Sequence, residues 1–266
     1  MSNLDSNSSH IYAKKSLGQN FLRSTKALRE IVEAADLSAT DTVIEIGPGE
    51  GVLTAELLKK AANVIAIEKD DRLIPVLKEK FAADIQSGKF NLIHSDILEI
   101  KLSDLVKAGE FKVVANIPYY ITGLLLPLIL SGSTQPSKAV FLVQKEVADR
   151  IAARDNKQSI LSMSVKVYGT PKVIAKVPRG AFVPAPNVDS AIIEIANISK
   201  NFFKTISEDQ FFATLKKGFA HKRKLLKGNL GLSDQEMTEA GLSPKARAED
   251  ITLDDWKKLT ELISTK

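Results

Sequence analysis

The tetrapeptide Asn116-Ile117-Pro118-Tyr119 follows a short apolar run and combines groups that suit chemistry on an exocyclic amine. The amine of adenine is a weak nucleophile because its lone pair is delocalised into the ring. Two oxygen acceptors that draw its N–H bonds out of the ring plane redirect that lone pair; the candidates are the Asn116 side-chain carbonyl and the backbone carbonyl of Ile117 or Pro118. Tyr119 offers a face on which an extruded base can stack. The pattern predicts methyl transfer by placement and electrostatics, with no general base.

A glycine-rich segment, Gly-Pro-Gly-Glu-Gly at residues 47–51, follows a second apolar run at residues 42–46. Small residues at the end of a strand allow a tight turn and the close approach of a nucleoside. Their spacing is G-x-G-x-G, whereas phosphate-binding dinucleotide folds use G-x-G-x-x-G. The segment favours S-adenosylmethionine as the cofactor. A nicotinamide cofactor also suits the loop, but it leaves residues 116–119 unexplained.

Two acidic residues follow the next predicted strands. Glu68 ends the second strand, where a carboxylate can accept hydrogen bonds from both ribose hydroxyls. Asp96 follows the third strand, where it can accept a hydrogen bond from the adenine amine of the cofactor; the alternative is a helix N-cap. The two acids strengthen the prediction of a nucleoside cofactor.

The elements that position these residues alternate between strand and helix from about residue 25 to residue 165. Strands are predicted at 42–46, 64–67, 90–94, 111–115 and 139–143, with helices at 52–61 and 72–81 between the first of them. This alternation predicts a doubly wound α/β sheet. Two late strands at 172–175 and 188–195 have no full helix between them, which predicts an antiparallel pair at the sheet edge.

The texture of the chain changes after Asn197. Residues 202–265 are helix-like and basic in their middle, with predicted turns at Gly228, Gly231 and Gly241. The first dozen residues are rich in serine and asparagine. We therefore expect a disordered tail at 1–12, a catalytic domain at 13–197 and a helical RNA-binding domain at 198–266.

Composition sets further bounds on the function. The 266 residues are 44% hydrophobic, and the formal net charge of +5 tilts the expectation toward a polyanionic partner. The absence of cysteine excludes disulfides, thiolate nucleophiles and cysteine zinc sites, and the three histidines show no ligand spacing, so no metal is expected. The longest apolar stretch, at 124–130, is too short to span a bilayer. With no targeting segment at the N-terminus, a cytoplasmic protein is expected.

The densest positive stretch lies at residues 216–224. The candidate contacts to RNA phosphates are Lys14, Lys15, Arg179, Lys222, Arg223 and Lys224. The alternative for the stretch is a solvated helix face. Phe219, which interrupts the charges, is expected to pack into the helical domain rather than to stack on RNA.

Four segments in order resemble the small-subunit ribosomal RNA adenine N6,N6-dimethyltransferases of the KsgA type. They are Lys-Lys-Ser-Leu-Gly-Gln-Asn-Phe-Leu at 14–22, Glu-Ile-Gly-Pro-Gly at 45–49, Asn-Ile-Pro-Tyr at 116–119 and Phe-Val-Pro-Ala-Pro-Asn-Val-Asp-Ser at 182–190. The resemblance runs from about Lys14 to Leu262. It implies the S-adenosylmethionine-dependent methyltransferase fold with a small C-terminal helical domain.

The resemblance also implies roles for individual residues. The implied cofactor contacts are Asn20, Leu22, Gly47, Glu68, Asp96 and Asn116. Asn116 would also hold the target amine, and Tyr119 and Phe182 would sandwich the adenine, although Phe182 also suits a core position. The implied substrate is a pair of neighbouring adenosines near the 3′ end of small-subunit rRNA, each dimethylated in an immature small ribosomal subunit. We expect a monomer.

Two alternatives remain open. The first is an Erm-type enzyme, which dimethylates one large-subunit adenosine and shares the glycine and Asn-Pro-Tyr motifs. The tail segments at 222–226 and 247–250 look more like those of the small-subunit family. The second alternative is a non-catalytic RNA-binding assembly factor that keeps the fold; the intact Asn116 and Glu68 argue against it.

Overall fold

A computed structural model describes residues 13–14, 17–106 and 111–265. The predicted tail at 1–12 and the predicted RNA contact Lys15 lie outside the described residues. The strands in these ranges are β1 (Phe21–Leu22), β2 (Thr42–Ile46), β3 (Asn63–Glu68), β4 (Phe90–His94), β5 (Phe111–Asn116), β6 (Lys138–Gln144), β7 (Thr170–Val177), β8 (Phe182–Val183) and β9 (Ser190–Ala196). The helices are α1 (Thr25–Ala35), α2 (Val52–Leu58), α3 (Leu73–Lys80), α4 (Ala82–Gln86), α5 (Thr122–Ser131), α6 (Lys145–Ala152), α7 (Ile160–Lys166), α8 (Glu208–Gly218), α9 (Leu226–Leu230), α10 (Asp234–Glu239) and α11 (Leu253–Ser264).

Seven of the strands form one sheet in the order β4-β3-β2-β5-β6-β9-β7. The first five of these are parallel, and β9 runs antiparallel to both β6 and β7. The predicted doubly wound sheet and the predicted antiparallel pair at its edge are both confirmed. The strand order reverses at β2, which has β3 on one side and β5 on the other. Ligands of such sheets bind at this point, outside the carboxyl ends of the strands.

The central strands are buried on both faces, which explains why they are short, nearly continuous apolar runs. Successive residues point to opposite faces. Val43 of β2 packs in the cluster that contains Leu57 of α2 and Leu77 of α3, whereas Ile44 packs in the cluster that contains Leu125 of α5. The sheet is therefore a rigid support, and the loops at its carboxyl edge are free to form a site.

The segment before α1 forms a second, two-stranded sheet. β1 pairs antiparallel with β8, with Leu22 opposite Phe182 and Phe21 opposite Val183. The side-chain oxygen of Ser24 then accepts a hydrogen bond from the Ala27 N–H at 3.2 Å and caps α1. This pairing brings the first and the last of the four sequence motifs side by side.

The described residues after β9 contain helices and irregular segments but no strand. Trp256 of α11 is fully buried and stacks on Phe219 with ring centroids 5.4 Å apart, so the predicted packing of Phe219 is confirmed. Gly231 and Gly241 have φ of 75° and 76° and follow α9 and α10. The predicted turn at Gly228 is wrong, because this residue lies inside α9. No helix within the described ranges is both long and apolar enough to cross a membrane.

Candidate active site

The turn between β2 and α2 borders a pocket at the carboxyl ends of β2, β3 and β5. Residues 17–22, 45–50, 67–69, 95–98 and 116–121 contribute to its wall. Gly51 ends the turn with φ of 73°, and a Cβ there would lie 2.5 Å from the Phe81 ring, so only glycine fits. Gly47 has φ of 68°, and a Cβ there would meet nothing within 4 Å. Its backbone is therefore open to the pocket, as a closely approaching ligand requires.

Glu68 lies in the pocket wall and is held by the backbone. Its two side-chain oxygens accept hydrogen bonds from the Gly49 N–H at 3.1 Å and the Asp70 N–H at 2.8 Å. The residue is only 5% exposed, and this burial raises the pKa of Glu68 against the effect of the two hydrogen bonds. Each oxygen keeps a lone pair, which suits the predicted contact to ribose hydroxyls.

Glu45, one residue before the end of β2, is a site residue that the sequence analysis missed. It lines the pocket, is 1% exposed, and accepts a hydrogen bond from the Thr54 hydroxyl at 2.6 Å through Oε2. Its Oε1 has no hydrogen-bond partner among the described residues. Burial, with a smaller contribution from the charge of Glu68, raises the pKa of Glu45 to about 8. A charged residue inside an otherwise apolar strand was the available signal.

Asp96 lines the pocket and also caps a helix. Its Oδ1 accepts a hydrogen bond from the Leu98 N–H at 3.0 Å at the start of a single 3₁₀ turn, and its Oδ2 pairs with Lys69 Nζ at 2.5 Å. Burial opposes ionisation, but Lys69 and the Leu98 N–H hold the pKa of Asp96 below its usual value. The alternative of an N-cap is thus realised, and a contact to the adenine amine of the cofactor remains a prediction.

Asn116, the last residue of β5, is held by the N-terminal segment. Its side-chain Nδ2 donates a hydrogen bond to the backbone carbonyl of Asn20 at 3.2 Å, and the Asn20 side chain in turn donates to the Gly18 carbonyl at 3.1 Å. This leaves Asn116 Oδ1 without a donor from the described residues. The side chain therefore offers a positioned acceptor at the pocket, as methylation of an amine requires.

Of the two predicted aromatic residues, the structure places one at the pocket. Tyr119 lines it, is half-buried, and shares a 2.7 Å hydrogen bond between its hydroxyl and that of Ser190. Phe182 is 3% exposed, belongs to the core cluster that includes Leu22 and Leu53, and does not line the pocket. In this structure the Phe182 ring is buried in that cluster, and its part in a sandwich around adenine remains a prediction.

The N-terminal wall of the pocket is secured by a buried acid. Gln19 Nε2 donates a hydrogen bond to Asp70 Oδ2 at 2.7 Å, and Arg72 pairs with the same carboxylate at 2.5 Å. Arg72 is the main cause that lowers the pKa of Asp70 to about 2, so the link is ionised at neutral pH. Leu17, Asn20 and Leu22 line the pocket beside it. The hydrogen bond between Gln19 and Asp70 could not be predicted from the sequence, because the two residues are 51 positions apart.

A second cleft lies between the helical region and the helices α5 to α7. Its cationic lining residues are Arg150, Lys222, Lys224 and Arg247. Arg223 does not line the cleft; its backbone carbonyl accepts a hydrogen bond from Arg247 at 3.2 Å. Arg179 is exposed in the turn before β8, and Lys14 is exposed at the start of the described chain. The sequence analysis did not connect Arg150 and Arg247 with the basic stretch, because both are distant from residues 216–224 in the sequence.

The pocket suits a nucleoside that carries a positive charge. Glu45 and Glu68 are buried in its wall, and neither forms an ion pair with a described residue. An open glycine turn lies beside them. When bound, S-adenosylmethionine supplies a sulfonium-activated methyl group, and its positive charge offsets the burial of the two carboxyl groups. Fold and pocket together define an S-adenosylmethionine-dependent methyltransferase.

Comparison with known proteins places the chain within this class. The family model described as "Ribosomal RNA adenine dimethylase" matches residues 11–265. The chain therefore belongs to the ribosomal RNA adenine dimethylase family, whose members are enzymes that use S-adenosylmethionine.

Several relatives and solved structures are similar over nearly the whole chain. "Ribosomal RNA small subunit methyltransferase A" of Dehalococcoides mccartyi is 44% identical over 93% of this chain and 87% of the relative. The protein of the same name from Streptococcus thermophilus is 40% identical over 94% of this chain and 91% of the relative. The crystal structure of the 23S rRNA methyltransferase ErmE gives a TM-score of 0.76 at 25% identity, over 92% of this chain and 100% of ErmE. The crystal structure of a dimethyladenosine transferase from Plasmodium falciparum gives a TM-score of 0.76 at 26% identity, over 90% of this chain and 95% of that protein.

Proposed function

We propose that the protein dimethylates the N6 amines of two adjacent adenosines near the 3′ end of small-subunit rRNA, within an immature small ribosomal subunit. The observation that carries the chemistry is Asn116, whose Nδ2 is held by Asn20 while its Oδ1 stays available at the pocket. The small-subunit substrate is supported by the names of relatives that are 40–44% identical to this chain. ErmE, which acts on 23S rRNA, is 25% identical.

The second acceptor for the target amine is the backbone carbonyl of Ile117. The Pro118 carbonyl accepts a hydrogen bond from the Ile121 N–H at 3.1 Å, whereas no described residue donates to the Ile117 carbonyl. Asn116 Oδ1 and this carbonyl draw the two amine hydrogens out of the ring plane. Tyr119 stacks against the adenine and fixes the direction of the lone pair. The proton leaves after the methyl transfer, so no base is required.

The wider surface supports an RNA partner. Residues 198–266 form the RNA-binding domain, and residues 13–197 form the catalytic domain. Lys222 and Lys224 form no ion pair with a described residue, so their charges are available to phosphates in the second cleft. Arg179 and Lys14, both exposed, supply further contacts to RNA. The protein acts as a monomer in the cytoplasm.

The substrate can be tested directly. Small ribosomal subunits that lack the modification are incubated with the protein and labelled S-adenosylmethionine, and the rRNA is then digested and analysed by mass spectrometry. N6,N6-dimethyladenosine is expected at two adjacent positions near the 3′ end. Label in large-subunit rRNA alone would assign the protein to the Erm branch, and binding without label would make it an assembly factor.

Replacing Lys222 and Lys224 together with glutamine should weaken binding to these particles and flatten its salt dependence. Each lost phosphate contact lowers the slope of log K against log salt by about one unit, because fewer counterions are released. Filter binding across salt concentrations measures the slope. The matched control is the double change of Lys60 and Lys78, which are exposed, form no ion pair with a described residue, and line neither the pocket nor the cleft. Equal slopes for the two double variants would contradict a phosphate contact by the cleft.

A further inference from the structure

Three exposed apolar side chains lie just after the catalytic tetrapeptide, in the turn before α5 and in α5 itself. Tyr120, Leu124 and Leu128 are 58%, 61% and 36% exposed. Their spacing of four residues places them on the same face of the turn and helix that they belong to. The opposite face is buried, as Leu125 and Ile129 show. We call Tyr120, Leu124 and Leu128 the α5 stripe.

The stripe connects the two candidate sites. Tyr120 lines the cofactor pocket, and its ring lies so close to Gly18 that a Cβ there would be 3.1 Å away. Gly123 and Pro127, in the same helix as Leu124, line the second cleft. An RNA strand that occupies both the cleft and the methylation pocket must therefore cross this helix. Residues 117–131 contain no charged side chain, so the crossing offers apolar contacts and no phosphate contacts.

The charges beside the stripe favour RNA as its partner. Lys222, Lys224 and Arg247 line the adjoining cleft, where Glu249 is the one carboxylate among the described lining residues. Glu249 pairs with Lys157 at 2.5 Å, so it does not neutralise the three cations. A polyanion is attracted to this border, and the apolar stripe then meets the part of RNA that is not charged, its bases.

We propose that Leu124, supported by Tyr120, is a wedge that packs against the bases next to the target adenosine and keeps that adenosine out of the stack. Apolar side chains separate base steps in this way in other nucleic-acid complexes. An enzyme that modifies the exocyclic amine of a stacked base must extrude that base, and extrusion loses stacking energy. Burying an exposed leucine against the neighbouring bases offsets part of this loss. The inference rests on the proposed function, because it assumes an adenosine in structured rRNA.

The test uses unmodified small ribosomal subunits whose rRNA carries 2-aminopurine beside a target adenosine. The fluorescence of 2-aminopurine rises when it loses stacking. S-adenosylhomocysteine replaces the methyl donor so that no reaction occurs. Leu124→Ser is the test variant, because Leu124 does not line the cofactor pocket and is too exposed to be needed for folding. Leu124→Met is the conservative rescue. Ile85→Ser, at a 36% exposed site on α4, is the matched control.

The wild type and Ile85→Ser should give the same fluorescence rise. Leu124→Ser should lose at least about half of it and lower kcat about tenfold, with KM changed less than about threefold, because the lost step is extrusion and not encounter. Leu124→Met should restore both quantities. A full fluorescence rise with Leu124→Ser would overturn the wedge, and loss of particle affinity with unstacking retained would assign the stripe to a ribosomal protein instead. Failure of the proposed function is distinct, since the wild type itself would then not methylate the particles.

Discussion

Replacing Asn116 with alanine is expected to lower kcat on unmodified small ribosomal subunits about a hundredfold. One acceptor lost from a desolvated site is typically worth about this factor, because water does not replace it at the moment of reaction. Single-turnover methylation at saturating cofactor and particle measures the effect. Calorimetric titration with S-adenosylhomocysteine should show a smaller change, since the rest of the pocket is intact. Near-normal turnover would remove Asn116 from the reaction.

Asn116 also donates to the Asn20 carbonyl, and this second role needs its own control. Asn116→Asp keeps an acceptor oxygen but has no N–H for Asn20, so it separates the acceptor from the brace. Activity between that of the wild type and Asn116→Ala is expected for this variant. Asn91→Ala makes the same change at an exposed position of β4 that does not line the pocket, and it should leave turnover unchanged.

Glu45→Gln is expected to stabilise the cofactor-free protein increasingly as the pH rises above 4.5 and to leave its stability nearly unchanged at pH 4. The pKa of Glu45 is about 8 in the folded protein against 4.5 for the ordinary group. Between these values the folded state holds more protons than the unfolded state, so the free energy of unfolding falls as the pH rises. The full difference is on the order of 5 kcal/mol and is complete above pH 8. Glutamine is neutral at every pH and still accepts the Thr54 hydrogen bond.

Chemical denaturation at pH 4, 6, 8 and 9 measures this difference. The difference in the free energy of unfolding between the variant and the wild type should widen from pH 4.5 to about pH 8 and then level off. Glu56→Gln, at a more exposed position of the adjacent helix α2, controls for the loss of one negative charge. A gap that does not change with pH would show that the pKa of Glu45 is the same in the folded and the unfolded protein, so that burial does not raise it.

Much of the fold follows from local pattern. The predicted strand at 42–46 agrees with β2 at both ends, and the one at 90–94 agrees with β4, because short apolar runs between turn residues have few other buried arrangements. Helix ends were less certain: the predicted helix at 52–61 ends at Leu58 in the structure. The turn predicted at Gly228 is wrong because the packing of the surrounding helices, and not the turn preference of glycine, decides the conformation there.

The candidate site divides in the same way. The residue types in the four motifs restrict the chemistry, so the sequence by itself determined the class of enzyme and its cofactor. It also predicts Asn116 as the acceptor. Tertiary structure decided which groups meet. The bond from Asn116 to Asn20 spans 96 residues, and Phe182 is buried because it packs in the cluster that includes Leu22. Lys222 shares a cleft with Arg150 through contacts such as the Gln158 N–H to the Glu249 carbonyl, which join segments far apart in the sequence. The raised pKa of Glu45 has the same origin, because desolvation depends on the whole protein around a residue and leaves no mark in its neighbouring sequence.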